Sequence, residues 1–175
     1  MFPALITKSF LLQQIVPEDQ QFIYEGLSHP DIIPFYGVRY ENFEDTKKQM
    51  DWYEKSYSEG KGGPWKIIDK ITGEKIGVVA YYNFDELHKK AEVGFWIFPR
   101  YWNKGIVTEC LEAVIEYCKE EKHIHRLEAL VEDGNMASRR VLEKLGFLHE
   151  GTFRECEIKN GKYLDLHVYG LITGS

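Results

Sequence analysis

The sequence lacks the features that mark several common protein classes. Cysteine is scarce, with three residues at positions 110, 118 and 156. Their odd number and irregular spacing argue against a disulfide framework and suit a reducing compartment. No apolar run approaches the ~20 residues of a membrane span, and Met1 to Ala4 lacks the basic start of a signal peptide. We therefore expect a cytoplasmic protein with reduced thiols and no membrane partner.

Positive charge is also in deficit. The chain has 22 Lys and Arg residues against 28 Asp and Glu residues, a formal net charge of -6. Nucleic-acid-binding proteins usually carry a basic face, so no nucleic-acid partner is expected, and a cationic partner such as an amine is more natural. His123 and His125 are the only hint of a metal motif. Two alternate histidines without a third ligand do not make a site, so we expect no metal.

The chain does contain enough apolar residues for one core. It has 43% hydrophobic residues in a length of 175, which predicts a single domain over residues 1–175. The first half is predicted to hold a strand, two helices and then a meander of three antiparallel strands. The predicted strands are 7–12, 65–69, 75–83, 90–98, 126–131, 147–157 and 163–172, and the predicted helices are 17–28, 42–59, 108–121 and 136–145.

The most informative stretch, Pro99 to Glu109, joins a predicted strand to a predicted helix through a short polar turn. The first amides of a helix have no intrahelical partner and attract anions. Gly105 lets the backbone come close to a ligand. The turn lacks both the P-loop pattern and GxGxxG. It therefore predicts a pyrophosphate bound mainly by the backbone N–H groups of residues 104–108.

Three blocks resemble the GNAT superfamily of acetyl-CoA-dependent N-acetyltransferases. The turn at Tyr101 to Gly105 resembles its pyrophosphate loop. Residues 135–147 contain its Asn-x-x-Ser and Glu-Lys-x-Gly-Phe signatures. Residues 150–169 resemble the C-terminal hairpin of the branch that holds ribosomal-protein N-alpha-acetyltransferases and spermidine acetyltransferases. The resemblance extends from Thr7 to Ile172.

This resemblance implies the fold and the cofactor. The fold is α/β, with a mixed, mostly antiparallel central sheet flanked by helices and with middle strands that splay apart to admit acetyl-CoA. Asn135 is implied to hydrogen-bond the pantetheine arm, and its alternative role is a helix N-cap. Asn103 and Val107 depart from the family pattern, and the branched Val107 side chain could crowd a phosphate. The implied cofactor-binding residues are Trp96, Ile97, Phe98, Trp102, Asn103, Lys104, Gly105, Ile106, Val107, Thr108, Asn135 and Ser138.

The resemblance also implies catalytic roles. Many members protonate the departing thiolate with a tyrosine at the position that is Leu142 here. Ser138 matches the serine with which the ribosomal branch stabilises the thiolate, and its alternative role is to bond backbone amides in the first turn of a helix. Glu157 matches a glutamate that relays the ammonium proton through water. Glu92 and Glu128, on predicted strands, compete for that role.

Three functions remain open. The first is acetylation of the alpha-amino group of a protein, such as a ribosomal protein, or of a peptide. The second is acetylation of a small amine such as a polyamine, amino acid or antibiotic. The third is a non-catalytic acyl-CoA-binding module. The family usually builds its acceptor pocket in the segment that is 30–40 here. An enclosed, acid-lined pocket would favour a small amine, and an open groove would favour a peptide. The protein is expected to be a monomer or homodimer.

Overall fold

A computed structural model describes residues 2–174, so Met1 and Ser175, the ends of the predicted domain, lie outside the described residues. Eight strands form one sheet in the order β1-β2-β3-β4-β5-β6-β8-β7. The strands are β1 (Leu5–Ile6), β2 (Phe10–Gln14), β3 (Gly63–Asp69), β4 (Lys75–Asp85), β5 (Lys90–Ile97), β6 (Arg126–Glu132), β7 (Leu148–Lys159) and β8 (Lys162–Ile172). The helices are α1 (Gln20–Leu27), α2 (Lys47–Ser58), α3 (Ile106–Glu120) and α4 (Met136–Lys144).

Most predicted elements appear within a few residues of their predicted bounds, and the differences lie in the first half. The strand predicted at 7–12 is instead a hairpin of β1 and β2, because the Thr7 hydroxyl accepts the Phe10 amide at 2.9 Å and closes a turn. Short 3-10 turns precede both early helices. Phe43, which falls within the helix predicted at 42–59, precedes α2 and is 39% exposed.

The sheet is antiparallel except between β5 and β6, which run parallel. These two strands pair only at Lys90 with Arg126, Ala91 with Leu127 and Glu92 with Glu128. Beyond Glu92 and Glu128 both strands continue for several residues without pairing to each other, so they diverge and open a cleft in the middle of the sheet. The predicted mixed sheet with splayed strands is confirmed.

Helices cover both faces of the sheet, as the amphipathic patterns require. One core cluster packs α3, through Cys110, Leu111 and Val114, against β3, β4 and β5. The other packs α1 against Val78 and Trp96 on the opposite face. Cys110 and Cys118 are fully buried, so they are packing residues.

A buried ion-pair cluster fixes the start of α1 to the sheet. Asp19 is 1% exposed and accepts hydrogen bonds from Lys66 Nζ and Lys75 Nζ, each at 2.6 Å. Burial by itself raises the pKa of Asp19, but the hydrogen bonds from Lys66 and Lys75 outweigh it and the pKa is lowered. Among residues 2–174, no helix combines the length and apolar character needed to cross a membrane.

Candidate active site

The start of α3 presents unpartnered amides to the cleft. The first helical hydrogen bond runs from the Glu109 amide to the Gly105 carbonyl at 3.1 Å. Within the described residues, the N–H groups from Asn103 to Thr108 donate to no acceptor. These amides concentrate the positive end of the helix dipole. They can bind an anionic diester without any side-chain charge.

The turn before α3 owes its shape to two residues in the left-handed region. Asn103 has φ 59° and Gly105 has φ 73°. Asparagine tolerates this region better than most residues, so Asn103 can form this turn although it departs from the family pattern. Trp102 Nε1 donates to the Ile97 carbonyl at 2.9 Å, which ties the turn to the end of β5. Val107 is 9% exposed and packs in the core cluster under α3.

A cavity of about 440 Å³ lies over these amides. It runs from the turn, past the end of β5, to the start of α4. All but one of the residues predicted to bind the cofactor line it: Trp96, Ile97, Trp102, Asn103, Lys104, Gly105, Ile106, Val107, Thr108, Asn135 and Ser138. Phe98 is the one that does not, although it follows directly after β5.

The backbone of β5 alternates between its paired neighbour and the cleft. The Phe98 amide donates to the Ile76 carbonyl at 3.0 Å, on the β4 side. In an antiparallel ladder every second residue bonds the same neighbour, so the Trp96 amide also faces β4. The amides of Val93, Phe95 and Ile97 therefore face the cleft. Of residues 96–98, which the resemblance implies as cofactor-binding, only Ile97 has its N–H on that side.

Asn135 and Ser138 meet where this cavity joins a second one, since both residues line both cavities. Asn135 Oδ1 accepts the Ser138 amide at 3.2 Å and caps α4, so the N-cap role is confirmed. Its side-chain NH2 group makes no hydrogen bond within residues 2–174 and can still bond a ligand. The Ser138 hydroxyl likewise has no partner there. Leu142 is fully buried beside them.

The three candidate glutamates have different surroundings. Glu157 is exposed on β7 and lies outside the lining of both cavities. Glu92 accepts a hydrogen bond from Asn83 Nδ2 at 2.9 Å. Glu128 accepts one from Arg126 Nε at 2.7 Å, which makes it part of an ion pair. Glu157 therefore has the greatest access to solvent.

The second cavity, of about 530 Å³, occupies the splay between β5 and β6 and extends under the segment 35–40. Its walls are largely aromatic, from α2, β4, β5 and that segment. Its side chains include one ionisable group besides the tyrosines, the ammonium of Lys48. The aromatic lining residues are Phe35, Tyr36, Tyr40, Trp52, Tyr53, Tyr82 and Phe95.

The tip of the β7–β8 hairpin holds the segment 35–40 in place. Lys159 Nζ donates to the carbonyls of Pro34 at 2.9 Å and Tyr36 at 3.2 Å. It also contacts both carboxylate oxygens of Glu132 at the end of β6. The sequence analysis missed Lys159, because no local pattern shows that a hairpin tip reaches a loop more than 120 residues earlier. Within residues 2–174, no group of three or more His, Cys, Asp and Glu residues could hold a metal ion.

Comparisons with known proteins agree with this geometry. The family model for an acetyltransferase (GNAT) domain matches residues 9–148. An uncharacterized N-acetyltransferase of Bacillus subtilis, YoaA, is 31% identical over 173 residues, which cover 98% of each chain.

Two solved structures share the fold. RimL, a ribosomal L7/L12 alpha-N-protein acetyltransferase in complex with coenzyme A, has a TM-score of 0.87 at 20% identity, covering 97% of this chain and 98% of its own. A spermidine N-acetyltransferase of Vibrio cholerae, in complex with CoA and spermine, has a TM-score of 0.83 at 21% identity, covering 94% and 96%. These likenesses show the fold.

Proposed function

The chain belongs to the GNAT acetyltransferase family and is an acyltransferase, and from that premise we propose that it acetylates the alpha-amino group of a protein or peptide, with acetyl-CoA as the acetyl donor. A ribosomal protein is one such substrate. The observation that carries the proposal is the junction at Asn135 and Ser138. There a cavity with free amides meets an aromatic cavity to which residues 2–174 contribute no carboxylate.

The cavity over the α3 amides, called the cofactor cavity below, has hydrogen-bond donors for each part of acetyl-CoA. Acetyl-CoA supplies an activated thioester. The amides of residues 103–108 would bind the pyrophosphate, and Lys104 adds a positive charge nearby. The cleft-facing groups of Val93, Phe95 and Ile97 would bond the pantetheine amides as a neighbouring strand would. The Asn135 side-chain NH2 group would donate to the same arm.

Two groups would stabilise the negative charge that develops during acetyl transfer. When the amine attacks the thioester carbon, the carbonyl oxygen becomes negative, and the Phe95 or Ile97 amide would donate to it. When the carbon–sulfur bond breaks, the Ser138 hydroxyl would donate to the sulfur. Leu142, at the position of the family tyrosine, has no proton to offer, so we assign the Ser138 hydroxyl to stabilise the departing thiolate by a hydrogen bond.

Glu157 is the proposed base, and it would act through water. Glu157 and Lys159 lie two residues apart on β7, so their side chains share a face. Lys159 reaches the carbonyl of Tyr36, a lining residue of the second cavity, which is the proposed acceptor cavity. This contact supports a position of the Glu157 face on the acceptor side. An alpha-ammonium group has a pKa of about 8, so the base needs to remove only a weakly held proton. Glu92 and Glu128 are the alternatives, and both already accept side-chain hydrogen bonds.

The lining of the acceptor cavity favours an alpha-amine over a polyamine. Spermidine carries several positive charges, and burying them without partners is costly. No Asp or Glu from the described residues lines the cavity. A small amine therefore remains the second candidate, supported by the likeness to the spermidine enzyme. A cytoplasmic location, one domain over residues 1–175 and a monomeric or homodimeric state also remain proposals.

The test is release of CoA thiol by the purified protein with acetyl-CoA. The acceptor panel contains peptides with free N-termini, the same peptides with blocked N-termini, and spermidine. We expect turnover with free peptides and none with their blocked counterparts. Turnover with spermidine alone would refute the proposal in favour of the second candidate.

A further inference from the structure

We propose that the acceptor cavity selects a first residue with a large apolar side chain, such as phenylalanine, leucine or methionine. This inference rests on the proposed function and adds the class of N-terminus that the site accepts. It is carried by the chemistry of the cavity walls. These walls offer a ligand the faces of aromatic rings and some aliphatic surface, but almost no free charge.

The charge at the cavity is already compensated. Lys48 is exposed, and its ammonium donates to Asp45 Oδ1 at 2.9 Å. The lining contains no arginine or histidine, and no carboxylate, within the described residues. A charged first residue would therefore lose its hydration and gain no opposite charge.

Apart from Lys48, the polar side chains that line the cavity are neutral. The Tyr40 hydroxyl donates to Gln49 Oε1 at 3.0 Å, so both groups are satisfied by each other. Burial raises the pKa of Tyr36 to about 12 and also raises the pKa of Tyr82, so both hydroxyls stay protonated at neutral pH. A serine at the first position would therefore meet no charged partner.

The rings of the aromatic wall pack against one another. Trp52 packs edge-to-face on Tyr82, with ring centroids 6.0 Å apart and planes at 71°. It also packs on Tyr53 at 5.6 Å. Gly94 makes room for this wall, because a Cβ there would lie 2.9 Å from the Tyr82 hydroxyl. An apolar side chain can displace water from these rings without breaking any hydrogen bond of the protein.

The wall is continuous with the reaction centre. Phe95, Leu142 and Ser138 line the same cavity as the aromatic residues. A peptide whose alpha-amine lies near Ser138 can therefore place its first side chain against Trp52 and Tyr82. Its remaining residues can leave through the open side of the cavity.

The test compares peptides that differ only at the first residue, with Phe, Leu, Met, Ala or Ser at that position, by kcat/KM. We expect Phe, Leu and Met to exceed Ser and Ala by about tenfold or more, the scale on which apolar pockets discriminate. Equal values, or a preference for Ser, would overturn the inference and leave the proposed function standing. If no free peptide reacts while acetyl-CoA still binds, the proposed function fails, and the inference fails with it.

A variant makes the test independent of absolute rates. Trp52→Ala removes the centre of the wall, so the ratio of kcat/KM for Phe over Ser peptides should fall by about fivefold or more. The matched control is Ile71→Ala, which removes a 95% exposed apolar side chain from the β3–β4 turn. An unchanged ratio in a folded Trp52→Ala protein would remove the aromatic wall as the selecting feature.

Discussion

Lys159 Nζ contacts Oε1 and Oε2 of Glu132 at 2.7 and 3.0 Å, and through this pair the tip of the β7–β8 hairpin is fixed to the end of β6. The same ammonium bonds the carbonyls of Pro34 and Tyr36. One side chain therefore holds the hairpin, β6 and the segment 34–36 together. The Glu132 side chain is only 12% exposed, so the pair is shielded from solvent.

Replacement of Lys159 should loosen the segment 35–40, which lines the proposed acceptor cavity. In Lys159→Met we expect the KM for a peptide acceptor to rise several-fold, with acetyl-CoA affinity nearly unchanged. Loss of charged hydrogen bonds should also lower the free energy of unfolding by about 2 kcal/mol. Steady-state kinetics and urea denaturation measure the two effects. Lys162→Met, at an exposed position on β8 just past the turn, is the control; equal effects in both variants would contradict a special role for Lys159.

Asn135 allows its two roles to be separated. Asn135→Asp keeps the oxygen that caps α4 but loses the NH2 donor, so we expect nearly unchanged stability and weaker acetyl-CoA binding. Asn135→Ala loses both, and should also destabilise the protein by about 1 kcal/mol. Calorimetric titration and thermal denaturation distinguish these outcomes. Wild-type cofactor affinity in the aspartate variant would leave Asn135 as a cap alone.

Ser138 should affect turnover and not folding. Its hydroxyl has no hydrogen-bond partner within residues 2–174, and its amide is capped by Asn135. Ser138→Ala should therefore lower kcat by about tenfold or more, the scale expected when one hydrogen bond to a developing charge is lost, with the melting temperature unchanged. Thiol release and a melting curve test this. Wild-type turnover would remove Ser138 from the mechanism.

The base is tested by charge-neutral variants of the three glutamates. Glu157→Gln should lower kcat about a hundredfold and leave acetyl-CoA affinity unchanged, because the carboxylate is needed only to take the amine proton. Glu92→Gln and Glu128→Gln serve as controls in the same assay. A larger loss in either control would transfer the role to that residue.

Asp19 should make stability depend on pH in acid. Its pKa is lowered in the folded state, so its contribution is fully present above the unfolded pKa near 3.9. The contribution is lost as the pH falls through the lower folded pKa. Asp19→Asn should cost about 3 kcal/mol at pH 7, because Lys66 stays buried without its partner. Urea denaturation at pH 7 and at lower pH should show this difference shrink; a constant difference would contradict the ion-pair account.

The sequence predicted the elements well where local signals were strong. The Asn160–Gly161 turn has φ values of 53° and 73°, as the dipeptide predicts for a tight hairpin. Gly146 ends α4 with φ 88°, as a C-terminal cap should. The first hairpin was missed because Thr7 closes its turn through a side-chain bond that no periodicity shows.

The candidate site was predictable to the extent that it is local in sequence. The turn before α3 and the pair Asn135 and Ser138 lie within short motifs. The splay was implied only by resemblance, because pairing between β5 and β6 depends on strands far apart in the chain. Lys159 and the wall of Trp52 and Tyr82 come from distant elements, so only the three-dimensional structure brings them together.

The early divergence of β5 from β6 leaves backbone groups at the centre of the sheet without a neighbouring strand. Under the proposed function, acetyl-CoA fills this gap, so the ligand completes part of the folded structure. A ligand that binds only the folded state stabilises it in proportion to the logarithm of its concentration. The lifetime of this protein in the cell would then follow the acetyl-CoA level, and metabolic state would govern the amount of enzyme as well as its rate.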